Sequence, residues 1–152
     1  MSVTATMTSA HSAPHRERLI RIAREVTFLA GTRIFEEGGR ADRFWIIRTG
    51  TVTLDMHTPG RRSAVIENLG HNELLGCSWL SPPNAWRMGA EAITPVRAYE
   101  VDAETVRMMC HSDPALGVAV AGWVARALAD RLQAARARLL DLYTPCGSGG
   151  LG

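Results

Sequence analysis

The chain of 152 residues contains no lysine; all 17 of its cationic residues are arginine. That absence excludes a P-loop, which needs a lysine beside its glycines, so Gly147-Ser-Gly-Gly150 reads as a flexible tail. With the many alanines and glycines, the arginine usage reads as the coding bias of a GC-rich genome. Cysteine is scarce: Cys77, Cys110 and Cys146 lie far apart with no CxxC, which excludes a zinc ribbon or a thioredoxin-like site. An odd count at wide spacing suits reduced thiols. Residues 1–15 lack an apolar run of signal-peptide length, and no stretch approaches the ~18–20 apolar residues of a membrane span. The reading is a cytoplasmic protein without a membrane partner. Histidines are few and dispersed: His57 and His71 stand alone, and His11 and His15 fall in the N-terminal segment, so no metal site of cupin type is expected. No G-x-S-x-G elbow occurs. Neither a catalytic residue nor a metal ligand is assigned, and the chain is read as a non-enzyme. A net charge of +2 is too small to argue for nucleic acid.

What is present is an ordinary globular composition, 46% apolar and 21% charged. The length fits one domain. Residues 1–14, rich in Ser, Thr and Ala and closed by Pro14, are expected to be disordered. From His15 to Phe28, Leu19, Ile22, Ala23 and Val26 recur at three- and four-residue spacing, which predicts an amphipathic helix. A train of short strands follows: Thr32–Phe35, Phe44–Arg48, Val52–His57 with a period of two, then Ser63–Leu69 as its hairpin partner across the Thr58-Pro59-Gly60 turn. Ile93–Val101 is the last strand, with Pro95 arguing for an edge or bulge near its start. Gly38, Gly50 and Gly60 sit where strands reverse, positions that often need positive φ. Short strands at this rhythm predict a roll or barrel.

From Asp102 the pattern turns helical. Asp102 is placed to cap a helix running to about His111. Ser112-Asp113-Pro114 then opens a second helix over about 114–143, stopped by Thr144, Pro145 and the glycines of a flexible tail at 144–152. Ala121, Ala125, Leu128, Leu132, Ala135, Leu139 and Leu142 alternate spacings of four and three, a heptad seam that predicts a homodimer. Trp123, Val124 and Leu140 form a second apolar stripe able to face the roll.

The order helix, glycine-punctuated roll, short helix, long helix resembles the cyclic nucleotide-binding domain of the cAMP receptor protein and Fnr family, over roughly Val26 to Tyr143. Thr32-Arg-Ile-Phe-Glu-Glu-Gly38 resembles the family's "G-x-x-I-F-x-x-G". Ala41-Asp-Arg-Phe-Trp-Ile-Ile-Arg-Thr-Gly50 is similar to its "A-D-x-F-Y-I-I-x-x-G", and Val65–Gly70 to the approach to its phosphate-binding cassette. The resemblance implies a mainly β fold, a cyclic-nucleotide-binding-type β-roll closed by a long C-terminal helix, in a domain spanning 15–143.

The resemblance also implies a cassette of the form "F-G-E-x-x-L" followed some residues later by "R-x-A". Backbone N–H groups there hold the cyclic phosphate, an arginine neutralises it, and the glutamate accepts from the ribose. Here the stretch is Leu75-Gly76-Cys77-Ser78-Trp79-Leu80, then Trp86-Arg87-Met88. Gly76 and Leu80 fit, whereas Cys77 replaces the glutamate, a loss of roughly 1.5–3 kcal/mol of charged hydrogen bonding. Counting from Gly76 puts Arg87 at the phosphate position; counting back from the Ile93 strand puts Trp86 there. Candidate ligand residues are Gly76, Cys77, Ser78, Leu80, Arg87 and Met88, with Ala135 and Arg136 of the long helix nearby. No cofactor is assigned, and a cyclic nucleotide is the candidate ligand. Family members that bind DNA carry a helix-turn-helix module of about 50 or more residues after the long helix. Nine residues follow Tyr143, so no direct DNA binding is expected and the partner is a small ligand or another protein.

Overall fold

The computed structural model describes residues 13–60 and 63–143. Eight strands form two four-stranded antiparallel sheets, β1-β8-β3-β6 and β2-β7-β4-β5. The first holds β1 (Arg24–Phe28), β3 (Arg43–Thr49), β6 (Leu74–Leu75) and β8 (Val96–Asp102). The second holds β2 (Arg33–Phe35), β4 (Val52–Met56), β5 (Ala64–Leu69) and β7 (Gly89–Ala92). With α1 (Ala13–Ile22), α2 (Ala103–Ser112) and α3 (Pro114–Tyr143) they make the β-roll with a long C-terminal helix that the sequence predicts. Phe44, Trp45, Ile46 and Ile47 of β3 are all buried, because this strand is covered on both faces. Trp45 stacks on Phe35 of the opposite sheet with ring centroids 5.6 Å apart, and Phe44 stacks on Trp79 at 4.9 Å.

Two expected elements are redrawn. The predicted helix over His15–Phe28 begins at Ala13 and stops at Ile22. Arg24–Phe28 is instead a strand that pairs with β8 from Arg24↔Glu100 to Phe28↔Val96. Its Glu25-Val26-Thr27-Phe28 alternation suits a pleated surface, and cross-strand pairing outweighs the helical spacing of Val26. The predicted strand over Ile93–Val101 is a single strand that starts later, at Val96; Ile93, Thr94 and Pro95 form the turn that leads into it from β7. Pro95 marks no sheet edge, since β8 lies between β1 and β3, but the irregularity expected near its start is there: the β3–β8 register shifts between Ile47 and Thr49, opposite Ala98 and Arg97. Residues 1–12 and the tail from 144 lie outside the described residues, and with them most of the expected disorder; Ala13 and Pro14 belong to α1.

Turn chemistry holds the roll in register. Gly50 links β3 to β4 at φ +95°, and a Cβ there would stand 2.3 Å from the Pro95 carbonyl oxygen, so both handedness and space require glycine. Arg33 ties the second sheet together: its Nη2 donates to Asp55 Oδ1 at 3.0 Å and to Glu36 Oε1 at 2.7 Å. Hydrogen bonding to Asp55 first, and to Glu36 next, holds its proton more tightly than usual. The helices open as their caps dictate. Asp102 accepts from the Thr105 backbone N–H at 2.9 Å. Asp113 Oδ1 accepts from the Ala115 N–H at 3.1 Å and, more weakly, from that of Leu116 at 3.4 Å.

On α3 the inward stripe is Leu116, Val120, Trp123, Val124 and Ala127. Leu140, expected on it, is exposed. Beyond Ala127 the burial fades, and every residue from Ala135 to Tyr143 is exposed. At 1.5 Å per residue the 30-residue helix is about 45 Å long. Leu132, Leu139 and Leu142 are exposed, and Leu128 is about half exposed at the rim of a cavity.

Candidate functional site

The stretch between β6 and β7 folds back on itself as a compact turn. Gly76 (φ +98°) turns the chain out of β6, and Ser78–Leu80 form one turn of 3₁₀ helix preceded by Cys77. The side chain of Asn84, a residue not singled out from sequence, fastens that turn. Its Nδ2 lies 2.9 Å from the Trp79 carbonyl, 3.1 Å from that of Ser81 and 3.3 Å from that of Ser78. Asn84 itself has φ +57°, a conformation that Asn tolerates better than most residues. An arginine of α2, Arg107, donates to the Trp79 carbonyl and lies over its ring.

A cavity of about 100 Å³ opens between this turn, the second sheet and α3. It brings together five of the six candidate cassette residues: Gly76, Cys77, Ser78, Arg87 and Met88. Leu80 is exposed and outside it. Phe35, Leu54 and Trp86 supply the apolar wall. From α3 the lining comes from Leu128 and Arg131, not from Ala135 and Arg136, which are exposed further along the helix. The reason is axial distance, since four residues advance a helix about 6 Å and carry position 135 past the cavity.

Trp86 and Arg87 part company here. Trp86 is only 5% exposed; its ring stacks on Phe35 with centroids 3.9 Å apart and lies 5.9 Å from Trp45. The six-membered edge of its indole packs over Gly76, where a Cβ would stand 3.0 Å away. Arg87 is exposed at the mouth and makes no hydrogen bond or ion pair among the described residues. Of the two residues that compete for the phosphate position, Trp86 turns into the roll and Arg87 toward solvent.

Arg131 is absent from the candidate residues that the sequence offered. Only 14% of its side chain is exposed. Nη2 donates to the Leu74 carbonyl at 2.6 Å, Nη1 approaches Cys77 Sγ at 3.3 Å, and Nε lies 3.3 Å from Glu67 Oε2 as an ion pair without hydrogen-bond alignment. One guanidinium from α3 thus touches β5, β6 and the cassette. Burial holds the Glu67 carboxyl above the ordinary range, with Arg131 pulling it down and Glu73 adding to the rise. Burial likewise raises Glu73, opposed first by its hydrogen bond from the Gly70 N–H. The one signal that could have found Arg131 was its place on the inward face, four residues after Ala127.

No group of three or more His, Cys, Asp or Glu is placed to hold a metal ion among the described residues. No helix among them is long and apolar enough to cross a membrane.

A roll of two antiparallel sheets, a turn-and-short-helix cassette and a long helix closing over it define a ligand-binding regulatory fold. The chain matches the cyclic nucleotide-binding domain family over residues 25–113, more than half its length, and belongs to that family in its cAMP receptor protein and Fnr type. It is 29% identical over 117 residues to a CRP-like cAMP-activated global transcriptional regulator of Mycobacterium tuberculosis, an alignment covering 77% of this chain and 50% of the regulator. The chain therefore spans half the length of the curated relatives it matches. Among solved structures, a cyclic nucleotide-binding protein from Geobacter metallireducens superposes with a TM-score of 0.71 at 25% identity, covering 83% of this chain and 91% of that one. A c-di-GMP-responsive global regulator from Xanthomonas campestris superposes at 0.78, with 16% identity and coverage of 86% and 64%, a likeness of fold alone.

Proposed function

We propose that this chain is a regulatory module that acts without catalysis, pairs with a second copy through α3, and signals by changing how α3 sits on the cassette in response to a small ligand or a protein partner. The observation that carries this reading is Arg131, which joins α3 to β5, β6 and the cassette with one guanidinium. A ligand or partner that competes for any of those contacts acquires different affinities for two helix arrangements, which is what coupling requires. Trp86 narrows the choice of ligand. Pockets for small molecules span roughly 300–1,000 Å³, whereas the cassette cavity is about 100 Å³ because the Trp86 indole fills its wall. A cavity of that size supports a ligand smaller than a cyclic nucleotide, or a protein partner. A relative is named as cAMP-activated, so one observation favours a second reading: Arg87 lines the cavity with its charge uncommitted and would serve as the phosphate arginine of a true cAMP or cGMP receptor if Trp86 moved. Calorimetric titration with cAMP and cGMP separates the two. The first reading predicts no saturable heat at millimolar nucleotide; micromolar binding that Arg87→Ala abolishes would establish the second.

A further inference from the structure

A second cavity, of about 340 Å³, opens at the edge of the roll between β1 and β2 and shares Phe35 and Trp86 with the cassette cavity. We propose that this edge cavity is a binding site for a small planar aromatic carboxylate. Unlike the cassette cavity, this void falls inside the range of roughly 300–1,000 Å³ that small-molecule sites occupy. Four of its nine lining residues are aromatic, and four are charged: Arg40, Asp42, Arg43 and Glu100. Phe28 meets Trp45 edge-on with centroids 6.4 Å apart, and Trp45, Phe35 and Trp86 continue the cluster. A flat ring entering beside them gains offset or edge-to-face contact that a saturated ring of similar volume does not.

The charges at the mouth set the rest of the ligand. Arg43 is already engaged, with Nε 3.0 Å from Asp42 Oδ1 and Nη1 3.5 Å from Glu100 Oε1. Glu100 in turn accepts from Trp45 Nε1 at 3.0 Å and pairs with Arg24 at 2.8 Å. Arg40 lines the same cavity, is exposed, and makes no hydrogen bond or ion pair among the described residues. The uncommitted charge is therefore positive and guanidinium-shaped, which fits a carboxylate bidentately. Its placement beside Trp86 is fixed in advance by backbone bonds: Gly38 N–H to the Trp86 carbonyl at 2.7 Å, Trp86 N–H to the Gly39 carbonyl at 2.8 Å, and Ala41 N–H to the Asn84 carbonyl at 2.7 Å. Such preorganisation lowers the cost of binding.

The test is calorimetric titration of the whole chain with 2-naphthoate, beside uncharged 2-naphthylmethanol and non-planar cyclohexanecarboxylate. Saturable binding of 2-naphthoate is expected, with both controls weaker. Arg40→Gln should weaken it about tenfold or more, as loss of a charged hydrogen-bond pair does, while Arg131→Gln at the cassette leaves it unchanged. Arg40 is a solvent-exposed side chain, so an unaltered circular dichroism spectrum is expected to accompany that loss. Absence of saturable binding, indifference to Arg40→Gln, or sensitivity to Arg131→Gln would overturn the proposal.

Discussion

At the scale of single residues, a few positions answer to two demands at once. Gly50 must hold a left-handed turn and also lie against the Pro95 carbonyl. Gly50→Ala therefore combines backbone strain with a backbone clash, each of order 1–3 kcal/mol. Urea denaturation should show a loss of at least about 2 kcal/mol, where Gly→Ala at a position of ordinary φ would be neutral or stabilising. Glu67 is a group the fold makes uncomfortable. Its folded pKa is raised, burial being the first cause, as is that of Glu73. The folded state consequently holds their protons more tightly than the unfolded chain. Their contribution to stability is fully present below the ordinary carboxylate value and is lost as pH rises through the raised one. Glu67→Gln removes one of these protons from the balance. Unfolding free energies at about pH 5 and about pH 7 should differ less in the variant than in the wild type; an equal difference would mean that Glu67 does not titrate as its burial requires. Trp86 shows the limit of reading residues singly. As a letter it competes with Arg87 for one position, and only the packing of its ring over Gly76 and Phe35 separates them.

At the scale of elements, α3 does two jobs with two faces. The inward face is buried as far as Ala127 and Arg131, with Arg138 still donating to the Val65 carbonyl at 3.1 Å, and the outer face carries Leu132, Leu139 and Leu142 beside the half-exposed Leu128, of which Leu132 is 53% exposed. A run of leucines at four- and three-residue spacing on an exposed helix is what a coiled-coil partner covers. Sedimentation should find a dimer for the wild type and a monomer for Leu132→Glu, with the melting temperature of the roll little changed; a monomeric wild type would remove the dimer from the account. The caps and the span of α3 were legible in the sequence because Asp102, Asp113 and Pro114 act on their immediate neighbours. The hairpin of β4 and β5 was legible for the same reason. What escaped was whatever depends on distant pairing. Arg24–Phe28 carries helical spacing yet becomes a strand because β8 offers it a ladder. β7 and the two-residue β6 are too short to show a period and exist only as partners of β4, β2 and β3. In the site, the cassette glycine and its neighbours were legible by resemblance. Arg131 was not, since its role depends on how far along the roll α3 runs before parting from it.

At the scale of the molecule, one network joins the roll to the helix. Trp86 fills the cavity wall from β7's side, Arg131 reaches in from α3, and Cys77 lies within reach of both elements. In the proposed reading Trp86 keeps the cassette closed to nucleotide, and this can be observed directly. Biosynthetic labelling with 5-fluorotryptophan gives fluorine signals for the four tryptophans, Trp45, Trp79, Trp86 and Trp123, and Trp86→Phe assigns the one that matters. The account predicts that millimolar cAMP leaves the Trp86 resonance where it is. A shift of that resonance that saturates at micromolar cAMP would show that the indole yields the site, and would contradict it.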